Sequence, residues 1–258
     1  MKRKCRAKNP SACRVHGETG EYVFTSTSLD YNTHTRESEK LKLFLNKYEV
    51  AAVTDYLDQS YMEMNAHLHG ADLTPSADTL ERIKQLDSAL KKYEEIAPAE
   101  TVITYRATKC YQDFRNKEEA EAWVKQQFPV KGRVKLAGFT STTPNPDALF
   151  DFLPESHADL QPPIGTSTFP TQADWEEYLA DEPDRGLGNL VFVMKTRPGA
   201  PVSNYGQTFS EKEQEYLHPR DKEFVVEQVL PHRRISNPSK TARRSSAHAT
   251  IVTLVESR

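Results

Sequence analysis

Hydrophobic residues in the first part of the chain recur at intervals of three and four, which is the spacing of an amphipathic helix. The first repeat, over residues 39–69, contains Leu41, Phe44, Leu45, Tyr48, Val53, Tyr56, Leu57, Tyr61, Met64 and Leu68. The second repeat, over residues 79–93, contains Leu80, Ile83, Leu86 and Leu90. Gly70 and Pro98 follow the two repeats and are typical helix stops. The pattern predicts two long helical regions.

Later in the chain the pattern changes to short runs of β-branched and aromatic residues, which favour strands. Strands are predicted over residues 101–106, 132–139, 190–195, 222–230 and 250–255. A further helix is predicted at residues 118–127, and a short helical piece near 175–179. Because the helices come first and the strands later, the order indicates an α+β fold rather than an alternating parallel sheet.

The segment 1–37 has little apolar periodicity and is rich in Ser, Thr, Asn and Lys, so we predict a poorly ordered basic leader. It contains Cys5, Cys13 and His16, residue types that bind zinc. A tetrahedral site needs a fourth ligand and none is nearby, so a metal site is the weaker interpretation. An unligated leader or a targeting element is the stronger one. Residues 38–258 would form the main domain, with an insertion at about 144–188, where Pro, Gly and Asp are frequent.

Composition narrows the class of protein. The 258 residues can bury a substantial core, and the net charge is −3, which argues against a dedicated nucleic-acid binder. No apolar run reaches the roughly 18–20 residues of a membrane span, and the charged start is unlike a secretory signal. Three cysteines cannot all pair, so a reducing, cytoplasmic location is expected. The basic stretch 233–244 is interpreted as a solvated loop, with an acidic or nucleic-acid partner as the weaker alternative.

Three segments hold residue types that can carry out catalysis. Glu213 and Glu215 would lie on the same face of an extended strand, where two carboxylates are costly unless they are solvated or used. Arg106 ends a strand and is either a solvated edge residue or a bidentate ligand for phosphate or carboxylate. The hydroxyl cluster at 140–143, which includes Ser141, is either a turn or a means of holding a carboxylate or a ribose. Each segment alone is more often structural.

The order of the three segments is more informative than any one of them. An arginine strand, a hydroxyl cluster and paired glutamates occur here as Thr-Tyr-Arg106, Gly138-Phe-Thr-Ser141-Thr-Thr and Glu213-Gln-Glu215-Tyr-Leu. In this order the chain resembles the ADP-ribosyltransferases of the arginine–serine–glutamate class, especially actin-modifying toxin components and their phage and bacterial relatives. The segment Tyr56-x4-Tyr61-x3-Asn65 is similar to the family helix that leans over the nicotinamide. The resemblance covers roughly residues 40–143 and 188–255.

Some positions depart from the family pattern. Ala107 stands where a second arginine is common, and Thr143 stands where the hydroxyl motif usually ends in serine. Phe24-Thr-Ser26-Thr-Ser28 matches that motif more literally, but it precedes the arginine strand and is therefore assigned to the leader. These departures affect the expected phosphate contacts and leave the class unchanged. The resemblance implies N-terminal helices packed on a mixed or antiparallel core of two sheets.

The resemblance also implies that NAD is the substrate and suggests roles for individual residues. Glu215 would stabilise the positive charge that develops on the ribose, and Ser141 would hold Glu215 in position. Arg106 would pair with an NAD phosphate. The remaining residues of the expected NAD cleft are Tyr56, Tyr61, Asn65, Ala107 and Thr142. No metal is expected.

Acceptor specificity is the most detailed expectation. Glu at position 213 resembles the arginine-modifying members of the family, so Glu213 would bind the acceptor guanidinium and accept its proton. The segment 199–210 would recognise the acceptor, with Tyr205 and Phe209 either contacting it or packing the loop. The favoured hypothesis is an arginine-specific mono-ADP-ribosyltransferase acting on a protein, as in a phage or bacterial effector. An NAD glycohydrolase and a catalytically silent binding module remain as alternatives.

Overall fold

A computed structural model describes residues 13–15, 22–24, 31–109, 114–153, 187–203, 205, 214–236 and 246–257 of the chain. Its helices are α1 (Tyr31–Phe44), α2 (Lys47–Asp55), a π-helical turn (Tyr56–Ser60), α3 (Tyr61–Leu68), α4 (Ala77–Ile96), α5 (Lys117–Gln127) and α6 (Pro146–Phe152). Its strands are β1 (Cys13–Val15), β2 (Tyr22–Phe24), β3 (Val102–Lys109), β4 (Arg133–Leu136), β5 (Thr140–Thr142), β6 (Asn189–Thr196), β7 (Ala200–Pro201), β8 (Tyr216–His218), β9 (Lys222–Ser236) and β10 (Ser246–Glu256). None of these helices is both long enough and apolar enough to cross a membrane.

Polar side chains decide where the long helices begin. Asn46 Oδ1 accepts the backbone N–H of Glu49, and Glu49 Oε2 accepts the N–H of Asn46 in return. This capping box starts α2 and divides the predicted helix over 39–69 in two, a break that the hydrophobic repeat does not reveal. Glu49 also pairs with Lys92 of α4 over 2.7 Å, which joins the two helices. From α2 to α3 the helix is continuous through the π-helical turn.

Among the described residues, the large sheet is mixed and has seven strands. Its order is β1-β2-β9-β10-β6-β3, and β4 also pairs with β9. The pairs β6–β10 and β2–β9 are parallel and the others are antiparallel. Along β6, Val191 and Val193 belong to the apolar cluster under α6, whereas Leu190, Phe192 and Met194 belong to the cluster under α5. A strand that is buried on both faces has an unbroken apolar sequence, which is the signal that predicts it.

The small sheet is antiparallel, with the order β5-β8-β7. Ala200 of β7 and Leu217 of β8 belong to the same apolar cluster as residues of α1, α2 and α4. Tyr105 of β3 and Thr143 exchange backbone hydrogen bonds of 2.7 and 2.8 Å, which connect the two sheets. The predicted α+β class, with N-terminal helices packed on a core of two sheets, is confirmed.

Part of the segment assigned to a leader is packed into the fold. β2 pairs with the end of β9, and its Tyr22 and Phe24 are only 3% and 2% exposed. Likewise, α1 begins at Tyr31, before the expected boundary at residue 38. Strands of three residues are too short to produce a recognisable repeat, so the hydrophobic pattern does not reveal them. The expected helical piece near 175–179 lies outside the described residues, while the start of the expected insertion at 144–188 forms α6, which packs against β3.

Candidate active site

A cavity of about 290 Å³ lies between the helices and the two sheets, near the lower end of the volumes of small-molecule sites. The residues singled out from the sequence that line it are Tyr56, Tyr61, Asn65, Arg106, Ala107, Ser141, Thr142 and Glu215. They come from the helix around the π-helical turn, from β3, from β5 and from the residue that precedes β8. Long-range folding therefore brings together side chains that the sequence separates widely.

Arg106 connects two of these elements. It lies on β3, and its Nη1 donates a hydrogen bond of 3.0 Å to the carbonyl oxygen of Ser141 on β5. The guanidinium is half-buried and carries further N–H groups in a fixed fork. The arrangement holds a cation on the cavity surface at a defined position, where it can pair with an anionic group of a ligand.

A network centred on Asn65 fixes the helix against the segment that leads into β5. The Asn65 Nδ2 donates to the Tyr56 hydroxyl over 3.0 Å, and the backbone N–H of Phe139 donates to Asn65 Oδ1 over 3.1 Å. The Tyr56 hydroxyl donates in turn to the Phe139 carbonyl oxygen over 3.2 Å. A Cβ atom at Gly138 would lie only 2.6 Å from Asn65 Oδ1, so any larger residue would force the Asn65 side chain out of this position.

Tyr56 connects this network to the charged residues of the cavity. Burial raises the pKa of its hydroxyl, while the positive charge of Arg106 and hydrogen bonds with Asn65 and Ser141 act in the opposite direction. The charge of Glu215 adds to the rise. Arg106, Ser141 and Glu215 therefore all influence the pKa of the Tyr56 hydroxyl.

Thr142, which follows Ser141 in the hydroxyl cluster, faces the small sheet as well as the cavity. Thr142 Oγ1 lies 3.1 Å from His218 Nε2 and 3.4 Å from the carbonyl oxygen of Tyr216. His218 is fully buried, and burial, followed by the nearby charges of Lys222 and Arg106, holds its pKa well below the ordinary value. The imidazole therefore stays neutral and serves β5–β8 packing.

The backbone of Glu215 is held by two donors. Its carbonyl oxygen accepts the backbone N–H of Val202 over 3.0 Å and lies 3.1 Å from Nε2 of His34 in α1. Its half-buried side chain lines the cavity beside Ser141 and Arg106. A carboxylate at this position can stabilise a positive charge that develops on a bound molecule.

The extended geometry expected around the paired glutamates is wrong at its central residue. Gln214 has a φ of 41°, in the left-handed region, and β8 begins only at Tyr216. The argument that alternate residues share one face needs an extended backbone, so it does not apply through Gln214. Glu213 itself lies outside the described residues, and its role stays a prediction.

Of the two aromatic residues expected to recognise an acceptor, Tyr205 is buried. Tyr205 is 5% exposed and packs in the cluster between the helices and the small sheet, with Lys42 Nζ 4.6 Å from its ring centroid. This burial favours the packing interpretation of Tyr205 over contact with an acceptor. Phe209 lies outside the described residues.

Several cavity residues were not singled out from the sequence. Leu149 and Phe152 of α6 form one side of the cavity, and Phe152 is half-exposed. Their segment is rich in Pro and Asp and gave no helical repeat long enough to predict α6. His34 was missed as well, because a single histidine in a polar helix gives no signal of what it contacts. Leu57, Tyr105 and Thr143 complete the lining.

Metal binding has no structural support within the described ranges, where no group of three His, Cys, Asp or Glu side chains could hold an ion. Cys5 and His16 of the weak zinc candidate lie outside those ranges. For Cys13 only the backbone, in β1, is described. The zinc hypothesis for the leader stays untested.

Comparison with known proteins identifies the family. The family profile described as ADP-ribosyltransferase exoenzyme matches residues 34–253. The chain belongs to this family, and the resemblance inferred from its arginine, hydroxyl and glutamate motifs is confirmed. NAD is the substrate from which ADP-ribosyltransferases take ADP-ribose, as the resemblance implied. A search of curated proteins finds no match.

Two toxin components and an exoenzyme are among the solved structures with the same fold. The enzymatic component C2-I of the C2 toxin from Clostridium botulinum has a TM-score of 0.55 at 13% identity, over 87% of this chain and 47% of that chain. The C3 exoenzyme of Clostridium limosum has a TM-score of 0.54 at 15% identity, over 90% and 96%. BECa, an ADP-ribosylating toxin of a C. perfringens binary enterotoxin solved with NADH, has a TM-score of 0.51 at 17% identity, over 87% and 48%. The chain thus spans about half the length of C2-I and nearly all of the C3 exoenzyme.

Proposed function

We propose that the protein is a mono-ADP-ribosyltransferase that transfers ADP-ribose from NAD to an arginine of a target protein and releases nicotinamide. One observation carries the proposal: Arg106, Ser141 and Glu215, from distant parts of the chain, line the same cavity as Tyr56. Membership of the ADP-ribosyltransferase exoenzyme family supports a transferase that uses NAD. The choice of arginine as acceptor rests on the sequence at position 213.

The residues around the cavity fit the chemistry of a dinucleotide with a cationic base. Arg106 offers a planar fork of N–H donors to a phosphate, which matches phosphate oxygens better than a point charge does. Tyr56 and Tyr61, with ring centroids 6.3 Å apart, offer aromatic surface to the nicotinamide. Ala107 contributes its backbone beside Arg106, and Thr142 its position beside Ser141 on β5.

The chemistry requires stabilisation of positive charge rather than a strong nucleophile. The bond between nicotinamide and ribose breaks, nicotinamide leaves with the bonding electrons, and positive charge builds on the ribose, as in glycoside hydrolysis. Glu215 stabilises this charge because a fixed carboxylate needs no reorganisation as the charge develops. Ser141 orients Glu215, and Asn65 orients Tyr56 against the same cavity.

Glu213 provides the acceptor specificity. A guanidinium has a pKa above about 12 and is a poor nucleophile while it is protonated. A carboxylate near Glu215 binds this cation and accepts the proton that arginine loses as its nitrogen bonds to the ribose. In the glycohydrolase alternative, water takes the place of arginine and Glu213 contributes little.

The test compares wild type with Glu215→Gln and Glu213→Gln. Each protein is incubated with labelled NAD and a cell lysate, and protein labelling and nicotinamide release are measured. We expect Glu215→Gln to lose both activities, and Glu213→Gln to lose labelling while it keeps some nicotinamide release. Equal labelling by wild type and Glu215→Gln would overturn the proposal. Nicotinamide release without any labelled protein, unchanged in Glu213→Gln, would identify a glycohydrolase instead.

A further inference from the structure

The backbone carbonyl of Glu215 is held by an imidazole from the first helix. His34 Nε2 lies 3.1 Å from this oxygen, and the backbone N–H of Val202 donates to the same atom over 3.0 Å. A carbonyl oxygen can only accept, so Nε2 carries the hydrogen. The other ring nitrogen, Nδ1, lies 3.0 Å from Ser203 Oγ and accepts its hydroxyl proton. Because both ring nitrogens are used, the tautomer and the orientation of the ring are fixed.

The surroundings of His34 keep it neutral and immobile. The side chain is fully buried, and the ring of Tyr216 packs edge-on against it with centroids 4.7 Å apart. Burial lowers the pKa of His34 to about 4, and the hydrogen bond to Glu215 opposes that shift only in part. An imidazole buried in this way is costly unless its polar atoms are paired, and here each nitrogen has its partner.

The position of Glu215 in the chain explains why its carbonyl needs support. Directly before it, Gln214 has a left-handed φ of 41°, and directly after it β8 begins. The pairing of β7 with β8 (Ala200 with Leu217, Pro201 with Tyr216) is continued by the Val202 N–H at Glu215, so the small sheet supplies one donor to this carbonyl and His34 supplies a second. Two donors on its carbonyl fix the plane of the following peptide and, with it, the direction in which the Glu215 side chain leaves the backbone.

We propose that His34 is a positioning residue for Glu215, a role that rests on the proposed function of Glu215 in NAD cleavage. His34 does not line the cavity and acts through the Glu215 backbone alone. A displacement of about 1 Å of a group at the reacting centre can reduce a rate by about 100-fold, so the loss of this hydrogen bond has a measurable effect.

Two amide substitutions separate the contacts of His34. In His34→Gln the amide nitrogen reaches the position of Nε2 and can donate to Glu215. In His34→Asn the amide reaches only the position of Nδ1, so contact with Ser203 is kept and contact with Glu215 is lost. We expect His34→Asn to lower kcat for nicotinamide release by about 10- to 100-fold with little change in KM for NAD, and His34→Gln to stay near wild type.

Tyr216→Phe is the matched packing control. It removes a buried hydroxyl that has no hydrogen-bond partner in the described part of the chain and keeps the ring against His34. Its kcat should equal that of wild type. Equal losses in His34→Gln and His34→Asn, or wild-type kcat in His34→Asn, would overturn the proposal. If His34→Asn fails to fold, Ser203→Ala replaces it. Without the Ser203 hydroxyl the tautomer of the His34 ring is no longer fixed, so kcat should fall by less than the 10- to 100-fold expected for His34→Asn. An unchanged kcat in Ser203→Ala would overturn the proposal.

Glu215→Gln separates failure of this inference from failure of the proposed function. If Glu215→Gln is inactive while His34→Asn is fully active, only the positioning role is overturned. If Glu215→Gln is as active as wild type, the proposed function fails and the positioning role fails with it.

Discussion

The two sheets of the protein differ in length, in composition and in what depends on them. In the described part of the chain the large sheet has seven strands, of which β9 alone has 15 residues, and its strands β6 and β10 are apolar on both faces. The small sheet has three strands of two or three residues with Thr, Ser and His among them. Yet Ser141, Thr142 and Glu215, which line the cavity, belong to the small sheet or adjoin it.

This difference indicates that the large sheet mainly provides stability and the small sheet mainly positions cavity residues. A sheet of three very short strands has too little buried surface to be stable alone, so it depends on the helices that pack against Leu217 and Ala200. The large sheet forms two of the three apolar clusters together with α5 and α6, and it contributes Arg106 through its edge strand β3. Substitutions in the large sheet should therefore change stability, and those around the small sheet should change activity.

The largest expected effect on stability is in the large sheet. Phe224 of β9 is fully buried in the cluster under α5, and Phe224→Ala should lower the free energy of unfolding by about 3–5 kcal/mol. At a temperature where the variant is folded, nicotinamide release should match wild type, because no described residue of β9 lines the cavity. Urea denaturation and the release assay measure the two quantities. A loss of activity at unchanged stability would contradict the assignment of stability to the large sheet and activity to the small sheet.

The stability contributed by the small sheet and by His34 of α1 should depend on pH, unlike that contributed by the large sheet. His34 and His218 are fully buried with lowered pKa values, that of His34 at about 4, whereas an unfolded histidine titrates near 6.5. The unfolded state therefore binds more protons, and stability is fully present above pH 6.5 and falls as the pH decreases towards 4. For His34 the loss amounts to roughly 3 kcal/mol in total. His34→Gln should flatten the fall, while Phe224→Ala should lower stability equally at all pH values.

Gly138→Ala should affect both stability and activity. The added Cβ would lie 2.6 Å from Asn65 Oδ1 and 2.8 Å from His69 Nε2, so both side chains must shift and the Asn65 network is disturbed. We expect a loss of about 1–3 kcal/mol and lower NAD cleavage. Gly70→Ala is the control: its Cβ would meet nothing within 4 Å, but its φ of +75° strains any other residue. That control should lose stability and keep its activity per folded molecule.

The smallest expected effect comes from removing one hydroxyl. Tyr56→Phe loses the hydrogen bonds to Asn65 and Phe139, at a cost of about 1 kcal/mol. Because the same hydroxyl faces Ser141, nicotinamide release should also fall. Tyr93→Phe, in the same helical core but outside the cavity, should leave release unchanged. Equal activities in the two variants would show that the Asn65 network is only structural.

The parts of the fold with a local signal could be predicted from the sequence. The apolar run of β6 and the repeat of Ile83, Leu86 and Leu90 in α4 each contain their own pattern, so the strand and the helix follow directly. The resemblance carried by the arginine, hydroxyl and glutamate motifs implied which residues share the cavity. The helix and the strand follow from local sequence, whereas the shared cavity follows from the likeness to a family.

The remaining features depend on long-range contacts or on single backbone angles. Tyr22 and Phe24 are core residues only because β2 pairs with the far end of β9. The left-handed φ of Gln214 has no signature in a Glu-Gln-Glu sequence. His34 becomes important only where α1 meets Glu215, a residue 181 positions later in the chain. The periodicity of the sequence does not predict long-range contacts of this kind.

The central place of β10 has a consequence for synthesis on the ribosome. This strand is the last in chain order among those described, yet it lies between β9 and β6 and pairs with both. While the chain is emerging, β3 and β6 can form their antiparallel pair, but the other edge of β6 stays open until β10 arrives. An open apolar edge is prone to pair with other chains, so the nascent protein is vulnerable to aggregation at β6 until β10 has been translated.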